Sequence, residues 1–460
     1  MQIHCLVLLF AIGTTLTLAA PPRLLPSGID PSNTHVVLVS AIGCEDDEYS
    51  KWNCALVYGI EAEIAHVYHL LIEQGIPEDN IITLFKNNSQ YAGYTKPEAS
   101  LFDDLNYTTN WRPGLKVDYI GNDVSPQNFL AVIQGDESAL NHTSGTGRVL
   151  KTTKSDNIFI YHGGHGDSGV LYFSDDWIQV LTAKELHSTL LSMKNNNQFD
   201  QMLYYITACF SGSMFEDFLT KQGNIFGVTA ADPDESAYLK DCVDDGEQYY
   251  CVNSEFGWAY VNDDTQNDPQ VETMSVQYSN IRQVVLKSNV SKYGSLAVSS
   301  EPTAYFQGPN KLSGKSTDAN SMNAFNDVLE ESISIAPVAS YLLMKRQLAA
   351  SKSEKEVEKL QEQLTSMEKE RDEIQELTST MVKKLAKPID RKVHEKLINS
   401  RPSSITAVDC HHDVMKAFAR ECSKFSKSPF ILELTRPLIN LCEHGVEAVE
   451  IISKLQEHCI

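Results

Sequence analysis

Residues 157–169 read "NIFIYHGGHGDSG", an apolar run that ends in two histidines set among glycines. Comparable apolar runs occur at four further places: 35–41 (HVVLVSA), 81–85 (IITLF), 202–208 (MLYYITA) and 225–231 (IFGVTAA). Residues 56–74 have the spacing of an amphipathic helix that ends at Gly75-Ile76-Pro77. Near-continuous apolar strands between helices are typical of a parallel sheet flanked by helices. The sequence therefore predicts an α/β domain over residues 30–300.

Residues able to carry chemistry follow two of these predicted strands. His162 and His165 follow one, and Cys209 follows another in "TACFSGS" (207–213). Ligands of parallel sheets bind beyond the carboxyl ends of the strands. If the two strands are neighbours, the Cys209 thiol and the His165 imidazole meet, which is what cysteine proteolysis needs together with amide donors for the oxyanion. The glycine after His165, Gly166, would let a substrate approach the backbone closely.

Two other interpretations of these residues remain open, and a third is excluded. Cys209 can be an inert buried cysteine. His162 and His165 can be zinc ligands, although no third ligand with good spacing is evident. A phosphate-binding loop would need a Gly-Lys-Ser/Thr ending or a suitable helix, and neither is present.

Composition narrows the function classes. The chain has 460 residues, 42% of them hydrophobic, and a formal net charge of −23. Such an acidic chain lacks the basic face of a nucleic-acid-binding protein. No segment after the N-terminus reaches the ~20 apolar residues that a membrane helix needs. We expect no nucleic-acid partner and no membrane partner.

The N-terminus is typical of a secreted protein. Residues 1–20 are apolar and end in small residues, as in a signal peptide, although they lack an early Lys or Arg. A buried N-terminal helix is the alternative. Four glycosylation triplets begin at Asn87, Asn106, Asn141 and Asn289. We expect the secretory pathway, with a lysosomal, vacuolar or extracellular destination.

The cysteine count singles out one residue. Nine of the ten cysteines follow the predicted signal peptide. Cys44 lies near Cys54 in sequence, and Cys242 lies near Cys251. Four more cluster at the C-terminus: Cys410, Cys422, Cys442 and Cys459. Eight of the nine can therefore pair, which leaves Cys209 as a candidate reactive thiol.

The C-terminal third has a different organisation. Residues 301–387 begin with a Ser/Asn/Gly/Lys-rich stretch, predicted to be an exposed linker, and continue as a charged helix. Apolar residues of this helix, from Val357 to Leu385, recur every three or four positions. This pattern fits a dimeric coiled coil or a helix packed in a groove of the same chain. Residues 388–460 are predicted to form a small disulfide-bonded helical domain.

Several motifs resemble the legumain (asparaginyl endopeptidase) family in its precursor form. The most specific is "DYIGNDVSPQNFLAVIQGDESA" (118–139), and four others follow in the family's order: 145–173 (GTGRVLKTTKSDNIFIYHGGHGDSGVLYF), 204–215 (YYITACFSGSMF), 228–238 (VTAADPDESAY) and the C-terminal four-cysteine segment. The resemblance spans nearly the whole chain after residue 20. It implies a caspase-like α/β catalytic domain, an activation peptide, and a helical prodomain that covers the active site as an inhibitor.

The resemblance also assigns roles to residues. It implies that Cys209 is the nucleophile, His165 the catalytic histidine, and the amides of Gly166 and Cys209 the oxyanion hole, so that His162 is a bystander. The implied disulfides are Cys410–Cys442 and Cys422–Cys459. The implied partners are peptide and protein substrates cleaved after asparagine, and the implied chemistry needs no metal or organic cofactor.

The substrate pocket departs from the family pattern. The family has Asp where this chain has Gly164, and Glu at the positions of Thr207 and Phe210. Its Asn-x-Arg-His motif falls on Val57, Gly59 and Ile60.

A four-residue shift would place Asn53 on the family's Asn, followed by Ala55 and Leu56 instead of Arg and His. Glu255 is a candidate replacement for a pocket Asp, and Ser236 lies at one of the family's paired serines. An Arg and carboxylates read a carboxamide by matching donors and acceptors, so their loss predicts a weakened preference for asparagine.

A protease with the Cys209–His165 pair is therefore the leading hypothesis. The alternative is a catalytically impaired relative that acts as a binding or regulatory protein, since the pocket residues differ. A third reading, the related transamidase that attaches glycolipid anchors, usually carries a C-terminal membrane segment. This chain ends instead in the charged "EIISKLQEHCI".

Overall fold

The structure is a computed structural model. It describes residues 29–42, 50–86, 100–141, 145–173, 179–221, 223–244, 249–312, 333–334, 338–386, 391–400, 406–425 and 428–459. The predicted signal peptide, Cys44, Asn87 and most of the predicted linker lie outside these residues.

The described strands form three sheets. They are β1 (Thr34–Ser40), β2 (Ile81–Phe85), β3 (Tyr119–Ile120), β4 (Asn157–Gly163), β5 (Gly166–Asp167), β6 (Val170–Tyr172), β7 (Val180–Thr182), β8 (Met202–Thr207), β9 (Ile225–Thr229), β10 (Tyr238–Asp244), β11 (Tyr249–Ser254), β12 (Ser291–Gly294) and β13 (Ile333–Ser334). The central sheet has seven strands in the order β12-β9-β8-β4-β1-β2-β3. Its pairs are parallel except β12–β9. The two three-stranded antiparallel sheets are β5-β6-β7 and β11-β10-β13.

The described helices are α1 (Ser50–Glu73), α2 (Pro126–Gln134), α3 (Ala183–Asn195), α4 (Glu255–Gln266), α5 (Met274–Val284), α6 (Leu296–Ser299), α7 (Ala304–Gln307), α8 (Val338–Ala350), α9 (Glu354–Leu385), α10 (Arg391–Asn399), α11 (Val408–Glu421), α12 (Ile431–Leu434), α13 (Arg436–Glu443) and α14 (Ala448–His458). None of them is long and apolar enough to cross a membrane.

Helices cover both faces of the central sheet because its strands are apolar on both. In β1, Val36 and Leu38 pack in the cluster that includes α1, α4 and α5, whereas Val37 and Val39 pack in the cluster that includes α2 and α3. This alternation is the two-residue period of a strand, and four consecutive buried residues show that neither face meets water. The predicted α/β class with a mostly parallel sheet is confirmed.

Two element boundaries differ from the sequence-based prediction. Helix α1 begins at Ser50 rather than near residue 56, because residues 50–55 contain no Gly or Pro that would stop it. The exposure predicted from residue 301 onward is wrong for α7, because Ala304, Phe306 and Gln307 are buried against the catalytic domain.

The C-terminal helices form a separate apolar cluster that includes Cys410–Cys442 and Cys422–Cys459, the pairs that the resemblance implies. Leu364 and Met367 of α9 pack with Tyr341 and Phe430, so the apolar stripe of this helix is buried within its own chain rather than in a coiled coil. The cluster that includes the two disulfides also contains Val170, Tyr172 and Val180 of the β5-β6-β7 sheet. The C-terminal helices therefore pack directly on the catalytic domain.

Candidate active site

Strands β4 and β8 are parallel neighbours, and their pairing brings the two candidate catalytic turns together. Gly163 lies opposite Thr207, and the N–H of Gly164 donates to the carbonyl of Thr207 at 3.1 Å. His165 and Cys209 each lie two residues beyond this last pair. Since neighbouring strands are about 4.8 Å apart, the turns that carry the imidazole and the thiol are adjacent.

A glycine allows the two turns to touch. A Cβ on Gly166 would overlap the carbonyl oxygen of Cys209 and would lie 3.3 Å from the Cβ of Ala208. The carbonyl of His165 accepts a hydrogen bond from the N–H of Tyr172 at 3.0 Å, which anchors the histidine turn to β6. A side chain at position 166 would therefore push the turns apart.

The cysteine turn has an uncommon backbone conformation. Phe210, directly after Cys209, has φ 55°, in the left-handed region that non-glycine residues rarely adopt. Its N–H donates to the carbonyl of Glu235 at 2.7 Å, and the Cys209 thiol lies 3.8 Å from the carbonyl of Ala237. Such strained residues cluster at active sites. Cys209 is buried, and the structure leaves it as a thiol.

His162 is in a different environment from His165. It is fully buried, with its ring edge-on to Phe129 and Phe173, and neither ring nitrogen has a hydrogen-bond partner. Burial lowers the pKa of His162 to about 3. A neutral imidazole between two aromatic rings is a packing residue, and among the described residues no group of three or more Cys, His, Asp or Glu could hold a metal ion.

Replacing His162 with Leu should stabilise the protein in acid. The wild-type histidine is protonated below a pKa of about 6.5 when unfolded but only near 3 when folded, so stability is lost as pH falls from 6.5 toward 3. By pH 5 this loss amounts to about 2 kcal/mol. Urea denaturation of H162L and wild type at pH 7 and pH 5 measures it. An equal decline in both proteins would contradict the prediction.

The predicted pocket residues have contacts on several elements around the two turns. The hydroxyl of Thr207 lies 3.3 Å from that of Ser254, whereas Glu255 accepts a hydrogen bond from the N–H of Lys287 at 3.1 Å. Ser236 is half-buried, one residue before the Ala237 carbonyl that faces the thiol. Thr207 and Ser236 therefore lie near the candidate nucleophile, and Ser254, the residue before Glu255, contacts Thr207.

Gly59 and Ile60 occupy the positions where the resemblance leads one to expect Arg and His. A Cβ on Gly163 would come 2.5 Å from Cγ2 of Ile60 and 2.9 Å from Cδ1 of Ile64, so α1 packs directly against the end of β4. Ile60 is buried, with 1% of its surface exposed. The Ile60 side chain can offer no charge and no hydrogen bond to a substrate side chain.

The sequence analysis missed a buried carboxyl beneath this region. Glu63 of α1 accepts hydrogen bonds from the Tyr161 hydroxyl and the Ser254 hydroxyl, each at 2.5 Å, and from the Ser254 N–H at 3.2 Å. Burial raises the pKa of Glu63 to about 7, although the bonds from Ser254 and Tyr161 oppose that rise. The available signal was an acidic residue inside the apolar run "IEAEIAHVY" (60–68).

The remaining predicted sites lie away from these turns. Cys242 and Cys251 form a disulfide between β10 and β11, whereas the side chain of Cys54, like all of Cys44, lies outside the part described. Asn106, Asn141 and Asn289 are exposed, as glycosylation requires.

Comparisons with known proteins identify related chains. The peptidase C13 family matches residues 53–309, and the legumain prodomain matches residues 362–459. Legumain of Rattus norvegicus is 28% identical over 88% of this chain and 89% of its own length. Hemoglobinase of Schistosoma japonicum is 27% identical over 92% of this chain and 98% of its own.

Two more distant proteins also match. The vacuolar-processing enzyme delta-isozyme of Arabidopsis thaliana is 25% identical over 87% of each chain. The crystal structure of caspase-1 from Spodoptera frugiperda covers 63% of this chain and 99% of its own, at 10% identity and a TM-score of 0.37, too low to support an argument. On the two domain matches, the chain belongs to the peptidase C13 family, and it is a cysteine-type endopeptidase with a legumain prodomain.

Proposed function

We propose that this protein is a legumain-type zymogen that hydrolyses peptide bonds with Cys209 and His165. The observation that carries the proposal is the pairing of β4 with β8, which sets the turns of both residues side by side. Cys209 attacks the scissile carbonyl while the amides of Gly166 and Cys209 bind the oxyanion. His165 protonates the leaving amine and then activates the water that releases the acyl group.

The proposed preference at P1, the substrate residue before the scissile bond, is weaker for asparagine than in the family pattern. Gly59 and Thr207 stand at the positions where that pattern has Arg and Glu, and Ile60 stands at the position of its His. A site discriminates strongly by hydrogen bonding only when a wrong substrate leaves its polar groups unpaired. Because Ile60 has no polar group to leave unpaired, a small or apolar P1 side chain is expected to bind there nearly as well as asparagine does.

Latency of the zymogen is supported by contacts at two places, β10 and α3. Ile333–Ser334 pairs with Leu239 and Tyr238 of β10, next to the Ala237 carbonyl that faces the Cys209 thiol. Helix α3 also contacts α11: Lys184 pairs with Asp409, and the His412 imidazole lies 3.9 Å from Glu185. We propose that both contacts keep substrate from the site until the C-terminal part is removed.

The proposed location is the secretory pathway, with a lysosomal, vacuolar or extracellular destination. It rests on the apolar residues 1–20, the three exposed glycosylation asparagines and the three disulfides among the described cysteines. Disulfides persist in oxidising compartments and are rare in the cytosol.

Peptide-library profiling of the acid-activated protein tests the proposed specificity. We expect hydrolysis with no sharp preference for asparagine, because discrimination at P1 falls from the ~10⁴-fold of a fully paired polar site to about 10-fold. An exclusive cleavage after asparagine would refute the proposal for the pocket. Failure to cleave any peptide, together with no labelling of Cys209 by a thiol-reactive peptide probe, would instead favour a binding or regulatory protein.

A further inference from the structure

One hydroxyl group links the two candidate catalytic turns. The Oγ of Ser213 accepts a hydrogen bond from the N–H of Gly169 at 2.7 Å and donates one to the carbonyl of Phe210 at 2.6 Å. The direction of both bonds is fixed, because a backbone N–H can only donate and a carbonyl can only accept. The single proton and one lone pair of Ser213 are thereby committed.

The two partners belong to opposite halves of the site. Gly169, with φ 73°, completes the tight turn between β5 and β6, and this hairpin begins one residue after His165. Phe210 follows Cys209 and holds the left-handed conformation described above. Ser213 lies on neither strand end, yet it contacts the backbone of both turns.

We propose that Ser213 is a positioning residue that fixes the His165 turn against the Cys209 turn. This inference rests on the proposed use of the two residues in peptide hydrolysis. A shift of about 1 Å between reacting groups costs on the order of 10²-fold in rate. The Gly166 backbone already touches the Cys209 carbonyl, so movement of the hairpin changes the distance between imidazole and thiol directly.

Without the Ser213 hydroxyl, the hydrogen-bonded link between the two turns is lost, but neither turn is itself disrupted. The N–H of Ser213 also donates to the Phe210 carbonyl, at 2.9 Å, so the cysteine turn keeps that bond in any variant. The N–H of Gly169, in contrast, loses its acceptor. Catalysis is therefore expected to suffer more than folding does.

The test compares Ser213→Ala, Ser213→Val and Ser213→Thr in the full chain, assayed after acid activation. Thr and Val have nearly the same shape, so their difference isolates the hydroxyl. We expect kcat to fall about 10- to 100-fold in Ala and Val with KM changed by less than about threefold, and Thr to restore most of kcat. Ser299→Ala, which removes a buried hydroxyl bonded to Leu296 in α6, is the control and should keep kcat.

Each other outcome has a definite meaning. If Ser213→Ala and Ser213→Val keep wild-type kcat, Ser213 does not position the turns, whatever happens to the melting temperature. If kcat falls equally in Val and Thr, shape rather than the hydroxyl matters, and the inference also fails. A wild-type protein that hydrolyses no peptide overturns the proposed function as well, which separates that failure from the first two.

Discussion

Replacing Cys209 or His165 with Ala should reduce peptide hydrolysis by on the order of 10³-fold or more, because each residue supplies a step that the other cannot perform. Without the thiol no acyl intermediate forms, and without the imidazole the leaving amine receives no proton. Hydrolysis of the best library peptide after activation measures both effects. The double variant should be no worse than either single one, since the two residues act as a unit.

His162→Leu is the matched control for His165→Ala. Both remove a buried imidazole from the same stretch, three residues apart, but only His165 follows the strand end that faces Cys209. We expect H162L to keep kcat/KM within about threefold of wild type. Unchanged hydrolysis by C209A would rule out Cys209 as the nucleophile, and equal losses in H162L and H165A would remove the distinction between the histidines.

The second large effect concerns three buried carboxyls far from these turns. These carboxyls are Asp263 and Asp264 of α4 and Glu272 before α5. Gln277 donates a hydrogen bond to Asp264, and Asn280 donates one to Glu272. Burial raises the pKa of Asp263 to about 6, that of Asp264 to about 8 and that of Glu272 to about 9. Each folded pKa lies above the unfolded value near 4, so the folded state holds extra protons between about pH 4 and 9. The contribution of these three carboxyls to stability is therefore complete in acid and falls as pH rises through this window.

Replacing Asp264 with Asn should remove most of the fall in unfolding free energy at high pH that Asp264 causes. The amide stays neutral at every pH, so the variant should exceed its parent by about 5 kcal/mol in unfolding free energy at pH 8 and match it closely at pH 4. Urea denaturation in a Cys209→Ala background, which prevents self-cleavage, gives both values. Asp200→Asn, at an exposed carboxyl, is the control. A difference that does not change with pH would contradict the titration argument.

The sequence predicted the sheet well because its strands are apolar on both faces. Strand β2 has the predicted bounds, and β1, β4, β8 and β9 each differ by two residues or fewer at an end. The positions of His165 and Cys209 followed from the same pattern, since both come just after strands. Whether those strands are neighbours could not be read from the sequence, and the pairing of Gly163 with Thr207 answers that question.

The pocket could not be predicted in the same way. Glu63, Tyr161 and Ser254 meet in space although they lie on α1, β4 and β11, and nothing local marks a hydrogen bond across such separations. Ile60 is an ordinary apolar residue of a helix until its contact with the end of β4 is seen. Burial of the three carboxyls likewise depends on how α4 and α5 pack.

The pairing of β13 with β10 has a consequence for inhibition. While Ile333–Ser334 remains part of the chain, it meets β10 as an intramolecular ligand, so its effective concentration at β10 is far above that of the same two residues free in solution. Two residues make too few contacts to bind well by themselves. A cut before Ile333 alone leaves this segment joined to the C-terminal helices, which pack on the catalytic domain, so the β10 edge becomes free for an extended peptide only when those helices leave as well.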